Sequence, residues 1–357
     1  MTMLTADPIL EVAVVGYGLG GATFHAPFIN GTPGMRVAAI VTRDPKRRAK
    51  AARDYPLARV VDTVDDLWSL APRIDLVAVS SPSGTHFRLA KQVLEGGAHV
   101  VVDKPFASSA AEARELGELA ARVRKLAIPF QNRRWDGDFL TVQRLIRDGE
   151  LGVVHRFESR FDRWRVVPKA RWTAAATNHT AEGIVYDIGS HLVDQALLLF
   201  GPVASVYAEG DRRHPDVSVE DDAFIALTHV NGVRSHLHMS VIAAQPSLRM
   251  GVWGSRAAYI KHGLDGQEAA LIAGARPGNA GWGAEPEALW GTVGAGADTR
   301  AVRTELGAYE HYYAGVAAAI LTGAQPPVLA SEAVASLTVI EAALESAREG
   351  RVVLLAS

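Results

Sequence analysis

The sequence predicts an α/β protein in two parts: an N-terminal parallel sheet covered by helices on both faces, then a C-terminal α/β half with a largely antiparallel, open sheet. Three observations carry this. Short apolar runs alternate with amphipathic stretches up to about residue 130. Beyond that point, segments with period-2 alternation follow one another. A glycine-rich turn, "VVGYGLGG", closes the first apolar run. The expected domains are therefore residues 1–130 and 131–357.

In chain order, "EVAVVG" (11–16), "VAAIVT" (37–42), "IDLVAVSS" (74–81) and "HVVVDKP" (99–105) read as strands. Their continuous apolar character marks strands buried on both faces, the signature of a parallel sheet built from βαβ units. Helices are expected near 45–54, 86–95 and 109–124. "HRFESRFDRW" (155–164) places Phe157 and Phe161 on one face, with Arg156, Glu158, Arg160 and Asp162 on the other. "DAFIALTHV" (222–230), "RSHLHMSVI" (234–242), "LRMGVWG" (248–254) and "AAYIKHG" (257–263) continue the series, which fits a sheet covered on one face only. Residues 273–300, rich in Gly, Ala and Pro, read as a long loop. Helices near 305–322 and 331–349 close the chain.

A further helix, "YDIGSHLVDQALLLFG" (186–201), is apolar almost all round and so expected to be buried. Yet Asp187, His191 and Asp194 stand at i, i+4 and i+7, on one stripe.

Composition excludes several classes of function. A formal charge of −2 provides no global field for nucleic acid or an anionic membrane. The absence of cysteine excludes disulfides, zinc–thiolate sites, iron–sulfur clusters and thiol nucleophiles. No apolar run is long enough to span a bilayer, and "MTMLTADPIL" lacks the pattern of a secretory signal, so the cytoplasm is the expected location.

Gly16-x-Gly18-x-x-Gly21 lies directly after a strand and opens a helix, the context in which such a turn binds a dinucleotide. Gly16 allows the tight turn, Gly18 lets a pyrophosphate approach the backbone, and Gly21 lets helix and strand pack closely. Tyr17, Leu19 and Gly20 complete the turn. The second strand ends in Thr42-Arg43 where an NAD site would have an acidic residue. A hydroxyl beside a guanidinium suits a 2′-phosphate, with Arg47 and Arg48 in reserve, so NADP is favoured over NAD. Lys104 stands at a strand's carboxyl end before Pro105, where ligands of open α/β sheets lie.

Together these pieces resemble the glucose–fructose oxidoreductase / inositol dehydrogenase (Gfo/Idh/MocA) family over nearly the whole chain. The marks are the Gly16/Gly18/Gly21 turn, "SPSGTHFRLA" (81–90), "GGAHVVVDKPFA" (96–107) and "YDIGSHLVDQ" (186–195). Ser81, Ser83 and Asp103 depart mildly from the family pattern, while Pro82, His86, Lys104 and Pro105 keep it. "FHAPF" (24–28), "QNRRWDGDFLT" (131–141) and "FESRFDRWR" (157–165) are most similar to the bacterial subgroup containing NADP-dependent scyllo-inositol dehydrogenases. The resemblance implies a Rossmann domain, with Ser81, Pro82, His86, Asp103 and Lys104 beside the cofactor. It also implies an open C-terminal sheet that joins copies into a dimer or tetramer, and a cleft where Lys104, Asp187 and His191 act together.

On this reading His191 takes the hydroxyl proton, Lys104 stabilises the developing alkoxide, Asp187 orients the group, and no metal is needed. Each has a structural alternative: Asp187 as a helix cap, His191 as a core histidine, Asp194 as an arginine's partner. Arg133, Arg134, Trp135 and Asp136 form a polar and aromatic cluster suited to a polyol, or else a salt-bridged hinge. Asp162, Arg163 and Trp172 are weaker substrate candidates, with Asp194. His236 and His238 read as sheet-surface residues. The expected activity is NADP-preferring oxidation of a secondary hydroxyl on an inositol or pyranose sugar. A glycosidase with transient oxidation and a silent cofactor sensor are the alternatives.

Overall fold

The computed structural model describes residues 9–169, 172, 181–245 and 247–355. Strands β1 (Leu10–Val15), β2 (Met35–Val41), β3 (Arg59–Val61), β4 (Leu76–Val79), β5 (His99–Val102) and β6 (Ala127–Pro129) form a six-stranded sheet in the order β3-β2-β1-β4-β5-β6. Every pairing in it is parallel. β1 and β4 are buried along their whole length, as their unbroken apolar runs require. The order reverses beside β1, and the carboxyl ends of β1 and β4 open a crevice there, the binding position of such sheets.

Helices α2 (Pro45–Asp54), α3 (His86–Glu95) and α4 (Ala110–Arg122) match their expected spans; α1 (Ala26–Gly31) precedes them. Asp44 caps α2 by accepting from Arg47 N, and Ser109 caps α4 by accepting from Glu112 N. α5 (Gly137–Arg147) begins the second half.

The C-terminal sheet comprises β7 (Val154–Asp162), β8 (Val203–Asp211), β9 (Asp222–His229), β10 (Arg234–Ser240), β11 (Leu248–Gly254), β12 (Ala258–His262), β13 (Gly291–Ala295), β14 (Asp298–Val302) and β15 (Val353–Leu354). Their order is β14-β13-β12-β11-β7-β10-β9-β8-β15, with β7–β10 as the parallel pair in an otherwise antiparallel sheet. Six strands lie outside the expected runs: β3, β6, β8, β13, β14 and β15. β8 carries a bulge between Val203 and Ser205, which breaks its alternation. The stretch expected as a loop over 273–300 ends in the β13–β14 hairpin, a glycine-rich edge whose buried apolar side chains are mainly Val293 and Val302.

Helix 186–201 is two elements. Val185–Gly189 is a π-helical turn, followed by α6 (Ser190–Phe200), which Gly201 ends with φ +75°. α7 (Gln267–Ile272) follows β12. α8 (Glu310–Thr322) packs Tyr312, Tyr313 and Val316 into the N-terminal core with Phe28 and Ile29. α9 (Ala330–Glu349) packs against α4 and β8. The first sheet ends with β6 at Pro129 and the second begins with β7 at Val154, while the last helices pack into the cores of both. Among the described residues no helix is long and apolar enough to cross a membrane.

Candidate active site

A cleft of about 570 Å³ runs from the glycine turn to the face of the C-terminal half. Its N-terminal wall is Gly16, Gly18, Leu19, Gly20 and the Ser80–Ser83 segment; its far wall holds Lys104, Asp187 and His191.

The glycine turn is shaped as a cradle. Gly16 has φ +91°, and a Cβ there would overlap the Ser80 carbonyl oxygen. A Cβ on Gly21 would overlap the Gly16 carbonyl, so helix and strand could not close on each other. Above Gly18 the space is open except for the Arg47 guanidinium, 3.7 Å from where a Cβ would stand. These residues fit a dinucleotide: exposed backbone amides at the carboxyl end of β1, with a cation over the middle glycine.

Some expected cofactor residues lie elsewhere. Tyr17 turns its ring away, buried, and donates its hydroxyl to Asp54 Oδ2 at 2.8 Å. Burial, then that hydrogen bond, push its phenol pKa well up. Its place is therefore in joining the turn to α2. Thr42 is buried, and Arg43 reaches the Asp62 carbonyl; neither lines the cleft. Arg48 is held by Asp62 and by the Thr42 and Val60 carbonyls. Arg47 is the one of these residues that lines the cleft.

Between the cradle and the far wall, polar groups lock two loops together. His86 is buried, with Nδ1 2.8 Å from Pro105 O and Nε2 2.9 Å from Ser81 O. Asp103 accepts from Ser80 Oγ at 3.0 Å and from Lys104 N at 2.8 Å, and lies 3.4 Å from His25 Nε2. Burial alone would raise the Asp103 carboxyl, but the hydrogen bond and charge of His25, with His86 and Lys104, hold it well below the usual carboxylate range.

On the far wall, Lys104 Nζ donates to Asp187 Oδ1 at 2.7 Å and also to the Asp187 carbonyl. Lys169 Nζ pairs with Asp187 Oδ2. His191 is buried, and its Nδ1 lies 3.0 Å from Gln131 Oε1. The Gln131 amide spends its Nε2 on Ser190 O at 3.3 Å, so its oxygen receives the His191 N–H. That leaves His191 Nε2 as the basic nitrogen, with no protein partner among the described residues. Burial, then the charges of Lys104 and Arg133, push the imidazole well below its ordinary value.

The expected substrate cluster divides. Arg133 lines the cleft and donates to Asp136, Tyr309 and Glu268. Arg134 does not: it grips Asp194 through Nε at 2.8 Å and Nη2 at 2.7 Å, and also reaches Glu332. Asp194 is thus the partner of a buried arginine. Trp135 packs edge-on against Tyr312, with ring centroids 5.8 Å apart. Asp136 is buried, accepting from Tyr309 Oη at 2.6 Å, and burial pushes it up to about 8. Asp162 accepts from Ser247 Oγ. Trp172 is fully buried, with the Lys169 ammonium 4.9 Å from its ring centroid. None of Arg134, Trp135, Asp136, Asp162, Trp172 or Asp194 lines the cleft, because each is already committed to packing or pairing. His236 and His238 stand half-buried on the sheet beside Phe224. Among the described residues no cluster of three or more His, Asp or Glu suits a metal.

The cleft also contains Asn132, Arg163, Arg165, Lys169, Glu182 and Glu268. Except for Arg163, these were not singled out from the sequence. Gln131 and Asn132 lie in the quoted "QNRRW", but the charged residues after them drew the assignment. Glu268 lies on the short α7, and no sequence pattern marks it.

Residues 10–130 match the family described as "Oxidoreductase family, NAD-binding Rossmann fold", and residues 143–355 match "Oxidoreductase family, C-terminal alpha/beta domain". The uncharacterized oxidoreductase YdgJ of Escherichia coli K12 is 39% identical over 97% of this chain and 99% of its own. The scyllo-inositol 2-dehydrogenase (NADP(+)) IolW of Bacillus subtilis is 33% identical over 97% of this chain and 96% of its own. The solved structure of the Bacillus subtilis oxidoreductase yvaA superposes with a TM-score of 0.92 at 33% identity, covering 98% of this chain and 99% of that one. With both family domains matched in order around a glycine cradle and a Lys–Asp–His wall, the chain belongs to the Gfo/Idh/MocA oxidoreductases and is an NAD(P)-binding dehydrogenase.

Proposed function

We propose that the protein is an NADP-preferring dehydrogenase that interconverts a secondary hydroxyl and a ketone on an inositol or pyranose sugar. The observation that carries this reading is the far wall of the cleft, where His191 presents an unpartnered Nε2 close to the Lys104–Asp187 pair. The family relationship to a scyllo-inositol dehydrogenase supports the substrate class.

Nicotinamide, when bound, supplies the hydride acceptor or donor. The chain's own residues do the rest. The glycine turn and Arg47 hold the dinucleotide, with Arg47 taking the 2′-phosphate in place of the expected Thr42–Arg43 pair. His191 Nε2 accepts the hydroxyl proton, being neutral at physiological pH and held in one orientation by Gln131. Lys104 donates to the same substrate oxygen as its charge develops. Asp187, bracketed by Lys104 and Lys169, fixes both ammonium groups and can accept from a neighbouring hydroxyl. Arg133 and Asn132 are the substrate-side contacts from the start of the second half.

We also assign the open face of the C-terminal sheet to self-association, and the protein to the cytoplasm. Arg156, Glu158 and Arg160 on β7 face Trp253, His236 and His238 across neighbouring strands, forming a row that is partly exposed. Sedimentation at several concentrations tests the first point: a monomer at all of them removes it.

The functional test is initial-rate formation of reduced cofactor from NADP⁺ and from NAD⁺, across inositols and aldoses. A rate confined to one stereochemical class with NADP⁺ supports the proposal. Release of free sugar from a glycoside with no net cofactor reduction supports the glycosidase alternative, and cofactor binding with no turnover supports the sensor.

A further inference from the structure

The cleft is lined by six Lys and Arg side chains against four carboxylates, Asp103, Glu182, Asp187 and Glu268, so positive charge is in excess. Lys104 and Lys169 share Asp187. Arg133 and Arg163 share Glu268. Arg165 lines the same cleft, and its guanidinium has no partner among the described residues. Resting on the reading of this cleft as a sugar-oxidising site, we propose that the natural substrate carries an anionic group, a carboxylate or a phosphate, and that Arg165 selects it.

The position of Arg165 is fixed by its backbone. Its N–H donates to Val241 O at 2.8 Å, and Arg163 N donates to Ser240 O at 2.8 Å. Its carbonyl lies 2.9 Å from His214 Nε2, while His214 Nδ1 lies 2.6 Å from the fully buried Asp221. The backbone thus fixes the point from which the side chain enters the cleft, and its guanidinium can take a carboxylate or phosphate through paired N–H donors. Arg163 and Arg133 already have their charge met by Glu268, and Arg133 also by Asp136, so an added anion gains less from them. Lys104 and Lys169 are likewise held on Asp187. Apart from Arg47 over the glycine turn, Arg165 is therefore the lining cation whose charge no carboxylate among the described residues meets.

The test uses matched sets: glucose, glucuronate and glucose 6-phosphate; galactose, galacturonate and galactose 6-phosphate; and myo-inositol with its 1-phosphate. With NADP⁺ and the wild-type protein, kcat/KM for one charged member should exceed that for its neutral counterpart by roughly 10- to 100-fold, mostly through KM. Which member gains distinguishes a carboxylate from a phosphate. Arg165→Met should abolish the preference and Arg165→Lys should keep most of it. Equal or better turnover of the neutral members overturns the inference, as does a preference that survives Arg165→Met. Weakened NADP⁺ binding in Arg165→Met, with the preference intact, would assign the guanidinium to the cofactor. If no member turns over, the function proposed above falls. Calorimetric titration of the same sets onto the NADP⁺-loaded protein then decides the inference: tighter binding of a charged member, lost in Arg165→Met, supports it, and equal binding overturns it.

Discussion

Lys104 and Asp187 meet across the cleft from different sheets' surroundings: Lys104 follows β5 of the N-terminal sheet, and Asp187 sits in the π-helical turn before α6, with Nζ to Oδ1 at 2.7 Å. The pair joins the two halves of the chain at the place where chemistry is proposed. Lys104→Ala removes the donor to the developing alkoxide, and kcat should fall at least ~10²-fold. Affinity for NADPH, read by fluorescence titration, should change little, because the glycine cradle is untouched. Retention of wild-type turnover would refute the role given to Lys104.

The proton acceptance proposed for His191 would set the acid limb of the oxidation. Burial and the Lys104 charge hold its pKa below the ordinary 6.5, so kcat/KM should stay level through pH 6.5 and fall only at lower pH. His191→Asn should lower the rate by roughly 10²–10⁴-fold and remove that limb. A wild-type limb centred above pH 6.5 would contradict the assignment.

Stability should follow the same histidines. His191 and His99 are both depressed by burial, His99 to about 4 with help from Lys125. Above pH 6.5 both folded and unfolded chains keep these rings neutral. Below it the unfolded chain takes up protons that the native state refuses, so stability declines as pH falls from 6.5 toward 4. The loss of melting temperature between pH 7 and pH 5 should be smaller in His99→Gln than in the wild type, and an equal loss would remove His99 from this account.

Cofactor choice should depend on Arg47 rather than on Arg43, since only Arg47 stands over Gly18 and lines the cleft. Arg47→Ala should raise KM for NADP⁺ roughly 10- to 100-fold while KM for NAD⁺ moves far less. An equal loss with both cofactors would place Arg47 on the shared pyrophosphate.

Arg134 and Asp194 are predicted to matter for folding. Asp194→Ala leaves a buried guanidinium facing only Glu332, and should cost about 3–5 kcal/mol in urea unfolding. The KM for substrate in the remaining folded protein should be close to wild type. A selective rise in KM without loss of stability would return Asp194 to the substrate site.

Much of this was legible because periodicity and turn chemistry are local. β1, α2 and α4 follow from apolar runs and caps within a few turns of chain, and the glycine turn follows from sterics at Gly16 and Gly21. Lys104, Asp187 and His191 were found by motif, and the fold brings them together. Side-chain direction was the harder matter. Tyr17 sits inside the glycine motif yet points to Asp54, and Arg134 is adjacent to Arg133 yet faces the opposite way. Residues 131–136 give no period from which to assign faces, because a short 3₁₀ turn, Asn132–Trp135, replaces a regular helix. Arg165 ends the quoted "FESRFDRWR" without any pattern that aims its side chain, and Glu268 comes from a segment with no signature, so only the tertiary fold brings them to the cleft.

The stripe of Asp187, His191 and Asp194 assumed one uninterrupted α-helix. The π-helical turn at Val185–Gly189 makes the chain one residue longer than a plain helix at that point, which rotates everything after it by about a quarter turn relative to Asp187. Asp187 and His191 end at the cleft, and Asp194 ends against Arg134. The register of this segment therefore decides which side chains reach the proposed site, separately from the identity of its residues. Deleting a single amino acid here would keep all three side chains and still turn them onto other faces, so the number of residues between Asp187 and Asp194 is as much a part of the arrangement as the residues themselves.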